Sequence, residues 1–288
     1  MVPESDGTTF PPIRRLVPGD LRRCVALSVD RGWSPEKAKW ALLLAAAEPF
    51  GVDAPDGGGL AGAVVLTRWG AGLASVGMML VAARYGRRGL GRALMGHLLA
   101  EAGDATVTLF ATELGRPLYE KLGFAPVRRN VSFVGTFRQG RGETAGFTRS
   151  AEEADMPAIL AVDGAAFGAD RGHIVRRLPG FAKRIAVLEH DQGISGFAAA
   201  WRNGQDTTII GPVVAPGAGA ATRLITDLAV EAPGTVRLDL DPDRPELPGW
   251  AHAHGLEPVT RTTVMAHGGL APRGIPERLF APISVALA

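Results

Sequence analysis

From Leu80 to Ala93 the chain reads Leu-Val-Ala-Ala-Arg-Tyr-Gly-Arg-Arg-Gly-Leu-Gly-Arg-Ala, with four arginines and three glycines. Glycines let main-chain N–H groups come close to an anion, and a helix that starts there adds the positive end of its dipole. Arginine holds phosphate through charge-assisted, often bidentate hydrogen bonds. The segment suits a pyrophosphate, although a solvated arginine-rich loop has the same composition. It is not the dinucleotide fingerprint Gly-x-Gly-x-x-Gly, because Leu94 stands at the last glycine position, and it lacks the Gly-Lys-Ser/Thr of a P-loop.

Such a turn has to be held between a strand and a helix, and the flanks provide both. Leu73–Val81 is apolar and follows Gly70-Ala71-Gly72, which predicts a strand; Leu90, Leu94, Leu98 and Ala102 recur at every fourth position, which predicts a helix over Leu90–Ala102. Upstream, Asp20 caps a helix to about Arg31 with Leu21, Val25 and Leu27 inward. Ser34-Pro35 opens a second helix to about Ala47, with Trp40, Leu43, Leu44 and Ala47 on one stripe, and Gly62–Thr67 is a strand. Downstream come a strand at Val107–Ala111, a short helix at Arg116–Leu122 and a strand at Arg129–Phe137. The order then recurs as a helix at Asp155–Phe167, strands at Ile185–Leu188, Ser195–Trp201 and Thr207–Val214, a helix at Ala220–Val230, and strands at Val236–Leu240 and Thr262–Ala266. The tail from Gly269 onward is punctuated by proline and predicts no element.

Three landmarks repeat at a nearly constant separation of almost half the chain. Arg14 precedes Asp20 as Arg149 precedes Asp155; Val76-Gly77 resembles Ile210-Gly211; Leu122-Gly123-Phe124 resembles His254-Gly255-Leu256. The polar, glycine-rich stretch Arg138–Thr144 joins the halves. The expected fold is α+β (mixed α/β): two tandem domains, residues 1–137 and 146–288 about a linker at 138–145, each a mixed, mostly antiparallel sheet flanked by helices.

Composition narrows the function. Of 288 residues, 46% are hydrophobic and 21% charged, the proportions of a folded globular chain rather than a disordered one. Lys+Arg 31 against Asp+Glu 29 leaves a net charge of +2, so neither nucleic acid nor a membrane surface is an expected partner. The single cysteine, Cys24, excludes an internal disulfide and a multi-cysteine zinc site. The longest apolar run, Ala41–Ala47, is far short of a membrane span, and the N-terminus lacks the basic and apolar regions of a secretory signal; a cytoplasmic location is expected.

A second segment sharpens the reading: Thr108–Thr112, then Gly115-Arg116-Pro117 and Leu118-Tyr119-Glu120-Lys121-Leu122-Gly123-Phe124. Preceded by the glycine turn, it resembles the acetyl-CoA-binding core of the GNAT superfamily of N-acetyltransferases, in order over about Ile13–Phe137. Residues 118–124 form one of that family's most specific strings. With Ala166-Phe167-Gly168-Ala169-Asp170-Arg171, the duplication is similar to a bacterial tandem-GNAT (YitH-like) subgroup in which a working first domain is fused to a degenerate second one. The resemblance implies that acetyl-CoA is bound through its pyrophosphate by Arg87, Arg88, Gly89, Leu90, Gly91, Arg92 and Ala93, and through its pantetheine arm by the main chain of Leu80 and Val81. An N–H near Leu80 would serve as oxyanion donor, and Tyr119 would protonate the departing thiolate. Gly86 stands where the family has Arg or Gln, and Thr112 where it has an asparagine that contacts the cofactor.

The mechanism implied is direct acetyl transfer to a neutral amine, with proximity supplying much of the rate. The amine must lose a proton. Strand residues Ser75–Leu80 carry no carboxylate, so Glu113 is the nearest candidate base in the first domain; a solvated loop residue is the other reading. Trp33 and Trp40 flank the region where acceptors of this family enter and are candidates for an aromatic acceptor pocket or for core packing. Asp163, Phe167, Asp170 and Arg171 lie on one face, where an aspartate could bind a cationic amine, act as base or form an interdomain salt bridge. Cys24 reads as core rather than nucleophile. His97 reads as a partly buried helix residue, and His252 and His254 lack a third metal ligand nearby. In the second half, Pro216–Thr222 keeps glycines but no arginine, and Trp250–Leu256 has no tyrosine; loss of cofactor binding is expected there. The sequence thus reads as an acetyl-CoA-dependent N-acetyltransferase acting on the primary amine of a small molecule or peptide. The alternative is a non-catalytic acyl-CoA or small-molecule sensor. A homodimer is left open, and no metal is expected.

Overall fold

The computed structural model describes residues 9–140, 145–191, 193–204, 206–269 and 274–287, so part of the expected linker, residues 141–144, lies outside the described residues. The elements begin with β1 (Arg14–Arg15), α1 (Leu21–Asp30), α2 (Lys37–Ala46), β2 (Glu48–Asp53), β3 (Leu60–Arg68), β4 (Leu73–Val81), α3 (Leu90–Ala102), β5 (Thr106–Thr112), α4 (Arg116–Lys121) and β6 (Ala125–Gly135). They continue with β7 (Arg149–Ser150), α5 (Met156–Phe167), α6 (Gly172–Val175), β8 (Ala182–His190), β9 (Gly193–Asn203), β10 (Thr207–Val214), α7 (Ala218–Ala229), β11 (Thr235–Leu240), α8 (Glu246–Ala253), β12 (Glu257–His267) and β13 (Leu279–Ala281). Two compact units result, Met1–Val107 and Thr108–Ala288.

In the first unit β1, β2, β3 and β4 form an antiparallel meander, with Arg14 opposite Gly51, Phe50 opposite Val64 and Leu66 opposite Val76. Strand β2 is absent from the sequence reading because Pro49 and Gly51 are residues that strands avoid; ladders to β1 and β3 on both sides hold it. Helix α3 packs on β3 and β4, burying Leu90, Leu94, Met95, Leu98 and Ala102. Helix α2 starts later than the Ser34-Pro35 expectation. Glu36 sits before it with a left-handed φ of 36°, Lys39 Nζ donates to Glu36 Oε1 at 2.6 Å within the buried interior, and Trp40 N–H makes the first turn's bond to the Glu36 carbonyl.

The second unit has the strand order β5-β12-β6-β11-β10-β9-β8-β7, all antiparallel between β12 and β6, β6 and β11, and β10 through β7, and parallel between β10 and β11. By sequence β6 closes the first repeat and β12 the second, yet β6 is inserted between β11 and β12. That exchange explains why the compact units divide inside β5 rather than at the polar stretch. Leu224, Ile225 and Leu228 of α7 are buried against β8, β9 and β10.

The Arg–Asp landmark has the same physical meaning in both copies. Arg14 donates to both carboxylate oxygens of Asp20 at 2.8 and 2.9 Å while Asp20 accepts the Val17 N–H; Arg149 does the same to Asp155, which accepts the Glu152 N–H. Each pair ties the entering strand to the start of the next helix. The sheets are mixed and mostly antiparallel with flanking helices, as the sequence indicates.

Candidate functional site

Strand β4 carries one extra residue. Val65 faces Gly77 and Ala63 faces Leu80, so Met78 and Met79 share the place opposite Val64, and Met78 adopts a left-handed φ of 49°. A non-glycine side chain in that region costs about 1–2 kcal/mol and persists only where its surroundings impose it. Beyond the bulge, Ala82 N–H donates to the Ala61 carbonyl at 2.9 Å. The alternation of an antiparallel ladder then directs the Leu80 main chain at Ala63 and the Val81 main chain to the opposite edge. The oxyanion donor expected at Leu80 is corrected accordingly: its N–H is turned into the β3 ladder, and Val81 carries the outward groups.

The turn after β4 is fixed from below. Ala83 N–H donates to Asp30 Oδ2 at 2.7 Å, Arg84 Nη2 reaches Asp56 Oδ1 at 3.1 Å and the Gly58 carbonyl at 3.3 Å, and Tyr85 is buried. Arg84 is thereby spent on the 54–59 loop. Arg87 and Gly89 are left-handed, with φ of 62° and 80°. The first bond of the α3 ladder runs from Ala93 N–H to the Gly89 carbonyl at 3.0 Å, so Leu90, Gly91 and Arg92 N–H stand ahead of it without intrahelical acceptors. Nothing lies within 4 Å of where a Cβ on Gly89 would stand. Among the described residues, Arg87 and Arg92 are exposed and make no ion pair, and Arg88 lies over the Tyr85 ring at 5.9 Å. Left-handed main chain, unspent N–H groups and unpaired guanidinium groups at one helix start fit a pyrophosphate.

Trp33 is exposed on the loop between α1 and α2, whereas Trp40 is fully buried with its indole N–H donated to Ser28 Oγ at 2.8 Å. Trp40 is a core residue, which corrects its candidacy for an acceptor pocket. Cys24 is buried, and burial pushes its thiol up to about 12, too high for a nucleophile at neutral pH. His97 is half-buried and stands edge-on to Phe50.

In the second unit, Tyr119 is buried on α4, edge-on to Phe124, and burial pushes its phenol up to about 12. Its hydroxyl makes no hydrogen bond among the described residues. Thr112 Oγ1 accepts the Gly115 N–H at 3.2 Å, so the side chain in the asparagine position is engaged in its own turn. Glu113 is exposed beside it. The Leu118–Phe124 turn is built twice: Phe124 N–H donates to the Tyr119 carbonyl as Leu256 N–H does to Ala251, with Gly123 and Gly255 at φ of 86° and 83°. The second copy keeps the turn and has lost the phenol.

Asp163 corrects another expectation. It is buried on α5, and both its oxygens accept from Arg171, at 2.7 Å each, so it is spent within its own unit and offers nothing to a cationic amine. Asp170 Oδ1 accepts the Gly172 N–H at 2.8 Å at the start of α6. Phe167 is half-buried under the Arg171 guanidinium, 4.3 Å from its ring centre. His252 lies beside Glu257, and His254 stacks between Phe137 and Trp250; among the described residues no group of three or more His, Cys, Asp or Glu could hold a metal ion. Among the described residues, no helix is long and apolar enough to cross a membrane.

The tail that the sequence left without an element has a definite place. Strands β10 and β11 pair only over Thr207–Ile209; beyond, a bulge between Ile210 and Val213 mirrors that of β4, and β13 takes the vacated edge, Val213 opposite Ala281 and Val214 opposite Leu279. Ala215 N–H adds a bond to the Arg278 carbonyl at 2.9 Å. A Cβ on Gly211 would collide with the Pro282 carbonyl, so glycine is required for this approach. The second domain's splayed strands are filled by the chain itself. Proline spacing concealed this, because only three residues of the tail pair.

Comparison with known proteins agrees. The acetyltransferase (GNAT) domain pattern matches residues 47–126 and again residues 159–281, together most of the chain. The N-acetyltransferase YitH of Bacillus subtilis, described as uncharacterized, is 30% identical over 182 residues, 61% of this chain; the match spans 63% of YitH, under two thirds of its length. Among solved structures, an inferred acetyltransferase from Pyrococcus horikoshii superposes with a TM-score of 0.80 at 18% identity over 100% of both chains. A GCN5-related N-acetyltransferase from Sphaerobacter thermophilus gives 0.61 at 20% identity over 90% of this chain and 96% of that one. A tandem GNAT protein from the clavulanic acid biosynthesis pathway gives 0.63 at 15% identity over 91% of this chain and 99% of that one. These likenesses show the fold. With the repeated turn, the repeated bulge and the two matched domains, the chain belongs to the GNAT acetyltransferases, as two such domains in tandem.

Proposed function

We propose that the protein is an acetyl-CoA-dependent N-acetyltransferase that acts on the primary amine of a small molecule or peptide, with a single cosubstrate site in its first domain, residues 1–137. The observation that carries this reading is the start of α3: Arg87 and Gly89 in left-handed conformation, the N–H groups of Leu90, Gly91 and Arg92 ahead of the helix ladder, and Arg87 and Arg92 without ion pairs. Those groups bind the pyrophosphate, with Arg88 and Ala93 at the rim, and the outward main chain of Val81 takes the pantetheine arm as a strand would. Acetyl-CoA supplies the activated acetyl thioester when bound. Tyr119, protonated far above neutral pH and with a free hydroxyl, donates the proton to the leaving sulfur. Glu113, exposed at the end of β5, is the carboxylate assigned to collect the amine proton, through water. The second domain, residues 146–288, contributes no cosubstrate site because β13 occupies its strand edge.

The reading favoured by Thr112, whose hydroxyl is engaged by Gly115, and by the lack of a carboxylate on β4 is a protein that binds acyl-CoA without transferring it. Release of free thiol from acetyl-CoA in the presence of a panel of amines separates the two. An enzyme produces thiol with at least one amine; a sensor binds acetyl-CoA by calorimetry and releases none.

A further inference from the structure

A cavity of ≈ 270 Å³ opens in the second unit, just below the usual size of drug-sized ligand sites and suited to a smaller molecule. Its apolar walls include Phe110, Phe167 and Phe280, and its polar wall includes Arg128, Arg171 and Asp239. The hydrogen-bond accounting of that wall is unbalanced. Arg171 is 1% exposed, donates from Nε and Nη2 to Asp163, and keeps Nη1 buried without any acceptor. A buried donor left unpaired has given up its hydration for nothing, all the more so when charged, so native proteins keep few of them. Arg128, exposed by its residue surface, makes no hydrogen bond or ion pair among the described residues and so is free to turn to a ligand at the cost of water alone. The carboxylates around the cavity are served: Asp239 accepts from Ser132 and Arg237, Asp241 from the Asp243 N–H, and Glu277 is exposed to water. The unspent capacity is therefore donor-type and cationic, set among aromatic rings.

We propose that this cavity is a binding site for a small organic carboxylate with an apolar or aromatic body, its oxygens accepting from Arg171 Nη1 and Arg128. The wall formed by the tail is built to stay in place: Arg244 donates to the carbonyls of Pro276, Glu277 and Leu279 at 2.6–3.2 Å and covers the Phe280 ring. The site does not rest on acetyl transfer, and its test is made without acetyl-CoA, so that either reading can fail alone.

The test is calorimetric titration of the full chain with hydrocinnamate, the neutral hydrocinnamamide, phenethylamine and inorganic phosphate. Hydrocinnamate binds, roughly tenfold or more tighter than its amide, and phenethylamine and phosphate do not, since one charge-assisted bond is worth about that factor. Arg128→Gln, which breaks no ion pair, weakens hydrocinnamate roughly tenfold with Tm unchanged. Asp163→Asn combined with Arg171→Gln removes Nη1 without stranding a buried charge and abolishes binding; if that pair fails to fold, Arg128→Gln and the acid-to-amide ratio decide. Equal affinity for acid and amide, binding of phosphate alone, indifference to Arg128→Gln, or no binding by the folded protein overturns the proposal.

Discussion

Tyr119 and Asp20 show how the same burial serves opposite ends. The Tyr119 phenol is raised from 10 to about 12 by burial alone. A phenol raised in the folded state stabilises the fold fully below about pH 10, and that contribution fades as pH climbs through 12. Tyr119→Phe is expected to lower turnover roughly a hundredfold with acetyl-CoA affinity within twofold, and its absorbance difference from wild type should show an ionisation near 12. Turnover equal to wild type removes the phenol from the mechanism. Asp20 moves the other way: hydrogen bonds from Arg14 hold its carboxyl well below the usual range despite its burial. Its contribution is present above about pH 4, the unfolded value, and is lost as pH falls through the folded one. Asp20→Asn should destabilise the protein by about 2 kcal/mol at pH 7, with the gap to wild type closing below pH 4; a gap that persists at pH 2 contradicts the ion-pair account.

At the scale of elements, the bulge recurs in two strands with different fates. On β4 it turns the Val81 main chain outward, whereas on β10 the corresponding edge is taken by β13. Removing residues 276–288 should expose that edge and strip Phe280, Ile283 and Leu287, 8%, 0% and 1% exposed, from the core. At about 1.5–3 kcal/mol for each buried side chain, a Tm drop of several degrees or outright unfolding is expected in thermal melts; an unchanged Tm would mean the tail is not part of the fold. Much of this was legible beforehand. Leu90–Ala102 and Thr207–Val214 have the bounds expected of them, and the Arg14/Asp20 spacing that recurs as Arg149/Asp155 marks the repeat, although the spacing did not announce that each pair is an ion pair. What stayed hidden is what neighbours impose: the direction of the Leu80 N–H is set by the phase of the β3 ladder, Trp40 by Ser28 on another helix, and Asp163 by an arginine beyond the helix end. Single residues carry no signal of partners that only folding brings.

For the molecule as a whole, duplication followed by divergence accounts for the asymmetry. Both halves keep the bulged strand and the glycine turn after the fourth helix of the pattern, but only the first keeps arginines at the helix start and the tyrosine. The exchange of β6 and β12 means that neither half retains all its own ladder partners, so residues 1–137 expressed alone should be poorly soluble or partly unfolded by circular dichroism. A cooperative melt of that fragment would contradict this.

The central claim is that one helix start, and no other, grips acetyl-CoA. Titrating acetyl-CoA into the full chain by calorimetry tests it most directly: one molecule should bind per chain, and Gly91→Glu, which puts a carboxylate in the proposed pyrophosphate seat, should abolish the heat while leaving Tm unchanged. Two molecules per chain, or the same affinity in the folded Gly91→Glu variant, would contradict the account.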